Sequence, residues 1–214
     1  RDGAFHAEPD AGGSFQAKGS GKSGLLSVSR CGQEVLERTA CRVDGGLVIM
    51  RFEAGFPANG RSINAGELEK MLFSILPECV KKSLYFERIN KEALKEAVML
   101  CEDQQFIRDG LAKQGLCAFI ADGAVLPRQS GVSDKPLKDA VKFRSPESMQ
   151  VSFLLPNRGK ITGMGIRKGI TLFVGGGYHG KSTVLQALQN GVYNHIAGDG
   201  REFVITDESA VKLR

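Results

Sequence analysis

No stretch of this 214-residue chain approaches the roughly 20 consecutive apolar residues that cross a bilayer, and no basic head, apolar centre and small-residue cleavage site opens it. Neither membrane insertion nor secretion is expected. Cys-x-x-Cys pairs are absent as well. Cys31, Cys41, Cys79, Cys101 and Cys117 are odd in number and widely spaced, which points away from a disulfide framework or a zinc site and toward free thiols in an intracellular, reducing compartment. Internal repeats and heptads are lacking too, so solenoid and coiled-coil architectures drop out.

What is present is the mixture of an ordinary globular chain, 42% apolar and 25% charged, long enough for one large or two small domains. The net charge of +5 is concentrated in one place. Lys138, Lys142, Arg144, Arg158, Lys160, Arg167 and Lys168 face only Asp139 and Glu147 in the same stretch, a charge pattern that attracts phosphates. The first residue is Arg1 rather than Met, which reads as part of a longer protein.

Residues 1–24, rich in Gly, Ser, Ala and Asp, read as a flexible segment. Short β-like runs follow over 25–29, 39–43 and 47–56, with Asp44-Gly45-Gly46 set for a tight hairpin. Leu68, Met71, Leu72, Ile75 and Leu76 recur at helical spacing, with Pro77 as a kink or restart. A second helix starts after Asn90, carries Leu94, Val98, Cys101, Ile107 and Leu111, and stops at Gly115. Strands are expected over 117–121, 124–126, 149–155 and 160–166. The expected organisation is an N-terminal α+β module over 25–142 and a nucleotide-binding segment over 143–214.

The apolar run 170–174 (Ile-Thr-Leu-Phe-Val) reads as a strand buried on both faces. Directly after it, Gly175, Gly176, Gly177, Tyr178, His179, Gly180, Lys181, Ser182 and Thr183 satisfy G-x-x-x-x-G-K-[ST] at every fixed position, and Val184, Leu185, Ala187 and Leu188 continue as a helical face. Strand, glycine loop and helix in that order make a phosphate loop. Backbone N–H groups turn inward around the phosphates and the helix N-terminus adds a favourable dipole. Lys181 is the candidate catalytic cation for the β- and γ-phosphates of ATP or ADP, and the Ser182 hydroxyl is the candidate Mg²⁺ ligand. Tyr178 and His179 shape the loop. A second Gly-Lys-Ser, at residues 21–23, lacks the upstream glycine and the strand, although Lys22 remains a candidate phosphate contact. Lys142 and Arg144 are candidates for the same work, with Phe143 as a possible stacking partner for a base.

Asp207, 26 residues after Lys181, closes a β-like run and suits the acceptor or metal carboxylate of a P-loop small-molecule kinase. The wording of the chain points elsewhere. Residues 21–39 (GKSGLLSVSRCGQEVLERT), 121–131 (ADGAVLPRQSG) and above all 156–206, with GGGYHGKST and GVYNHIAGDGRE, closely resemble the ABC-class ATPase family. That family includes an RNA-binding protein associated with mitochondrial RNA editing in kinetoplastids. The resemblance implies an α/β architecture, in which an N-terminal α+β module precedes the first part of an ABC-type P-loop nucleotide-binding fold. It also implies ATP with Mg²⁺, an RNA partner, and a homodimer or a place in a ribonucleoprotein complex. The compartment would be mitochondrial if the kinetoplastid likeness holds and cytoplasmic otherwise. In ABC-type sites an aromatic about thirty residues before the lysine stacks on adenine, which nominates Phe153, 28 residues before Lys181, with Arg158 as a competitor. The family's later aspartate-glutamate pair, signature segment and switch histidine have no counterpart up to residue 214. The chain is therefore expected to cradle phosphates without hydrolysing ATP alone, with Asp207 an ordinary strand-end turn.

Overall fold

The computed structural model describes residues 14–17, 23–29 and 31–213. The chain divides into two compact units, residues 1–31 with 37–91, and residues 32–36 with 92–214. The long helix that follows residue 91 packs on the sheet of the second unit.

In the first unit, β1 (Ser14–Gln16) pairs antiparallel with β2 (Leu25–Ser27). Ala17 donates its N–H to the Gly24 carbonyl at 2.9 Å; the rest of the segment expected to be flexible, residues 1–13 and 18–22, lies outside the described residues. Lys22 lies outside the described residues. Next comes β3 (Glu34–Val35), which belongs to the second unit. β4 (Cys41–Asp44) and β5 (Leu47–Met50) form the expected hairpin, with Gly45 and Gly46 at φ 54° and 82° as its two-residue turn. β6 (Glu53–Ala54) joins β2, and β7 (Ala58–Asn59) pairs with β8 (Ser62–Ile63).

A helical rod completes this unit: α1 (Ala65–Lys70), a π-turn (Met71–Ile75) and α2 (Leu76–Leu84). Asn64 caps α1 by accepting the Glu67 N–H at 3.3 Å. The π-turn sits just before Pro77. Proline removes a donor and crowds the preceding turn, and widening the turn absorbs both without breaking the helix.

The second unit is built on α3 (Lys91–Lys113) and a four-stranded antiparallel sheet. Its strands are β9 (Leu116–Ala121), β12 (Gln150–Leu155), β13 (Gly159–Arg167) and β15 (Val204–Thr206), in the order β12-β13-β9-β15. Between them run the small hairpin β10 (Arg128–Ser130) and β11 (Ser133–Pro136), the helix α4 (Lys181–Asn190), and β14 (Asn194–His195), which pairs with β3. Residues 124–126, expected as a strand, form no ladder, although Ala124 and Leu126 are buried.

Alternation along the strands feeds two cores. On one face Leu116, Phe119, Phe153 and Ile205 meet Ile107 and Leu111 of α3. On the other Ala118, Ile120, Met164 and Val204 meet Ala187 of α4, with Val184 and Leu188 at its margin. β9 is thus covered on both sides, which is why it reads as an unbroken apolar run. α3 also carries two buried polar residues in its apolar stripe. Gln104 donates to the carbonyls of His195 at 2.9 Å and Glu202 at 2.8 Å, and Asp103 accepts the Asn157 N–H at 3.0 Å.

A charge cluster joins β3, the β10–β11 hairpin and the segment before β15. Asp199 holds Arg201 at 2.7 Å and Arg128 at 2.9 Å, while Asp134 and Glu34 stand 3.3 and 3.5 Å from the Arg201 guanidinium. Two guanidiniums thus face three carboxylates. Burial pushes the Glu34 carboxyl up, as does its hydrogen bond with Asp134. His195 is completely buried beside them, and neither of its ring nitrogens has a hydrogen-bond partner among the described residues. Burial, then the Arg201 charge, lowers its pKa to about 4, against the attraction of Asp199 and Asp134; Arg128 adds to the lowering.

Two tests follow from this packing. A Cβ on Gly110 of α3 would stand 2.7 Å from Cε1 of Phe153, whose ring is fixed edge-on to Phe119 at a centroid distance of 5.0 Å. Helix propensity favours Gly110→Ala by up to about 1 kcal/mol, but overpacking costs roughly 1–3 kcal/mol. G110A is expected to lower the melting temperature, and to raise it once Phe153→Leu has removed the ring. A rise in the otherwise wild-type chain contradicts the packing.

For His195 the native value lies below the ordinary 6.5, so the unfolded chain binds the extra proton. Its contribution is complete above pH 6.5 and is lost as pH falls toward about 4. Urea unfolding at pH 7 and 4.5 should show the wild type losing about 2–3 kcal/mol more than His195→Gln. Equal losses would mean that the imidazole is not held neutral.

Candidate phosphate-binding site

The loop 175–180 leads into α4 with its backbone wound before the helix begins. Gly180, the residue before Lys181, lies at φ 78° and supplies no side-chain acceptor for the first-turn N–H groups. Those groups therefore face outward as donors, as the start of any helix leaves them. Tyr178 adopts φ 61° although it has a side chain, and its ring projects into solvent with a relative exposure of 109%. A left-handed non-glycine residue costs free energy and marks a place where the loop shape is imposed.

Lys181 turns back over the loop and donates from Nζ to the carbonyls of Gly175 at 2.6 Å and Gly176 at 2.5 Å. The imidazole of His179 lies across Gly176, whose missing Cβ would stand 3.0 Å from Cε1. His179 thus shapes the loop, and any larger residue at position 176 would displace it. Ser182 is exposed at the helix start, and Thr183 is half-buried beside it. An ammonium and a fan of N–H donors around exposed glycines suit a polyphosphate, and the Ser182 hydroxyl suits its Mg²⁺.

The far end of α4 is bound to β15. Thr206 donates from Oγ1 to the Leu188 carbonyl at 2.7 Å and from N–H to the Gly191 carbonyl at 2.8 Å. A Cβ on Gly191 would lie 2.7 Å from that hydroxyl, so only glycine admits the contact. Arg108 of α3 locks the same corner by donating to Thr206 O at 2.6 Å and Asn194 Oδ1 at 2.8 Å.

Several expected placements are revised. Residues 170–174 are not a strand buried on both faces. Ile170, Leu172 and Val174 are 102%, 80% and 77% exposed, only Phe173 turns toward the core, and no described strand pairs with the segment. Phe153 is not an adenine platform, since it is 4% exposed and its ring is packed against Phe119. Arg158 is committed elsewhere: it bonds Glu96 at 2.9 Å and Asp103 at 3.2 Å and lies over the Phe203 ring. Phe143 packs inward against the second core rather than offering a face to a base.

Asp207 follows an edge strand that runs antiparallel to β9, and its carboxylate accepts the Ser209 hydroxyl at 2.6 Å and N–H at 3.0 Å. Those bonds, the hydroxyl first, hold it below its ordinary pKa. It closes its own turn.

The basic stretch does not form one patch. Lys160 and Arg167 stand on the same strand about 23 Å apart. Lys142 and Arg144 flank Phe143, whose backbone is bonded to Gly123 and Ala124. The next residue, Ser145, donates its N–H to Asp122 at 2.5 Å and its hydroxyl at 3.0 Å, and Thr162 adds a third bond at 2.9 Å. Burial alone would raise the Asp122 carboxyl, but these bonds outweigh it and its pKa is lowered. The result is an ordered ledge that presents Lys142 and Arg144 to solvent.

Comparison with known proteins agrees with this geometry. The P-loop domain of the ABC_ATPase family matches residues 90–214, and the N-terminal domain described as belonging to ATPases of the ABC class matches residues 5–87. The uncharacterized protein MJ1628 of Methanocaldococcus jannaschii is 29% identical over 161 residues, covering 61% of this chain and 36% of that protein. The chain thus spans little more than a third of that relative's length. With its P-loop domain matched over more than half of the sequence, the chain belongs to the ABC-class ATPase family.

Proposed function

We propose that the 175–183 loop binds ATP with Mg²⁺ and that hydrolysis to ADP is the activity of the complete protein. The supporting observation is the bonding of Lys181 to the Gly175 and Gly176 carbonyls, which folds the ammonium back over the loop at the start of α4, whose first turn has no side-chain cap. In this reading Lys181 transfers its bonds to the terminal phosphates, the first-turn N–H groups of α4 take the remaining oxygens, and Ser182 orients the metal. Bound Mg²⁺ supplies neutralisation of the charge that develops between the β- and γ-phosphates. Removing a charge-assisted bond of this kind costs roughly 10- to 100-fold in affinity. Calorimetric titration of Lys181→Ala with Mg·ATP is expected to show a loss of that size. Wild-type affinity in a folded K181A would overturn the assignment.

A second reading, that the protein also binds RNA, rests on Lys138, Lys142, Arg144, Lys160, Arg167 and Lys168, all exposed and without an ion pair among the described residues. Lys142 and Arg144 stand beside the Ser145 bonds to Asp122. Each phosphate contact on a single strand adds about 0.7 to the slope of log affinity against log salt. The double replacement Lys142→Ala, Arg144→Ala should lower that slope by about 1.4 in fluorescence titrations with a single-stranded RNA. An unchanged slope, or no measurable binding by the wild type, rejects the reading.

A further inference from the structure

Strand β3 occupies an unusual place in the chain. Residues 32–36 cluster with the phosphate-loop unit, while the segments on both sides of them, 1–31 and 37–91, cluster with the other unit. The strap runs antiparallel beside β14, with Glu34 opposite His195 and Val35 opposite Asn194, and Ile196 donates its N–H to the Gln33 carbonyl at 3.0 Å.

Its side-chain contact is with the helix that begins at the loop. Oε1 of Glu34 accepts from Nδ2 of Asn190, the last residue of α4, at 3.3 Å, and lies 3.5 Å from Nη2 of the buried Arg201. Arg201 is itself fixed by Asp199 at 2.7 Å. Lys181 and Asn190 are therefore the two ends of one ten-residue helix, with the strap gripping the end away from the phosphates. A helix of this length is a stiff rod of about 15 Å. A constraint on one end sets the direction of the other.

We propose that Glu34 is a positioning residue for the phosphate loop. Through Asn190 and Arg201 it fixes the C-terminal end of α4, and so the aim of the N–H groups and Lys181 at the opposite end. The inference rests on the reading of that loop as a nucleotide site. Linkage makes the effect reciprocal, since whatever factor the strap adds to nucleotide affinity, the nucleotide returns as tighter closure of the strap.

The test uses the full chain, with Mg·ATP as the probe and circular-dichroism melts to establish that each variant is folded. Glu34→Ala and Asn190→Ala should each weaken Mg·ATP binding by about 3- to 10-fold. The double variant should be no weaker than the worse single, because both remove the same tie. Glu34→Gln, which keeps the accepting oxygen and loses the charge, should restore most of the affinity lost in E34A. In hydrogen exchange, Mg·ATP should protect the Ile196 amide in the wild type but not in N190A. Independent, additive losses would overturn the proposal, as would wild-type affinity in folded E34A, or protection of Ile196 that survives in N190A. Failure of the wild type to bind Mg·ATP would instead bring down the nucleotide reading. The tie would then be judged on exchange at the Gly191 amide, faster in E34A if it exists and unchanged if it does not.

Discussion

Burial of β9 on both faces is the constraint from which the geometry of the phosphate-binding unit follows. Phe119 and Leu116 require α3 on one side, and Ala118 and Ile120 require α4 on the other. Once both helices are committed, their ends are no longer free. The Thr206 hydroxyl finds the Leu188 carbonyl across a gap that only Gly191 leaves open, and Arg108 bridges from α3 to the same corner. The start of the P-loop helix is therefore placed by apolar packing beneath its middle and by polar bonds at its end, with no side chain needed at the loop itself.

That division of labour explains why the loop can be so open. Tyr178, Gly180 and Lys181 make few contacts beyond the loop, and a strained turn of this kind persists only where the surroundings determine it. Here the determinant is the helix. Burial of Arg108 costs it some basicity, yet the charges of Glu208 and Asp207 compensate in part, so the staple that carries this load is also electrostatically supported.

What was legible in the sequence and what was not divides along physical lines. The hairpin at Gly45-Gly46, the stop at Gly115 and the phosphate loop were readable because each depends on a few neighbouring residues whose backbone demands are local. The path of 170–174 is not legible because an apolar β-branched run reports what a segment could bury, and not whether a partner strand lies beside it. The place of Phe153 is hidden for a related reason. Alternation with Val151 and Leu155 already placed it on the inward face, and spacing from Lys181 carried no information about direction. The cluster of Glu34, Asp134, Asp199, Arg128 and Arg201 left no trace, because charged residues separated by as many as 167 positions become neighbours only after folding. One signal was available. Asp103 and Gln104 interrupt the apolar stripe Leu100-Ile107-Leu111 of α3, and polar residues on a buried face have to be bonded to something distant.

The strap at residues 32–36 separates two meanings of the word domain. Sequence families divide this chain between residues 87 and 90, as though the two parts could be inherited separately. The folded unit around the loop is discontinuous, and it borrows a strand from the far side of that line. Gene fusion or shuffling at the family boundary would hand on the loop and leave its strap behind. The boundary between the two family matches and the boundary of the folded unit therefore do not coincide.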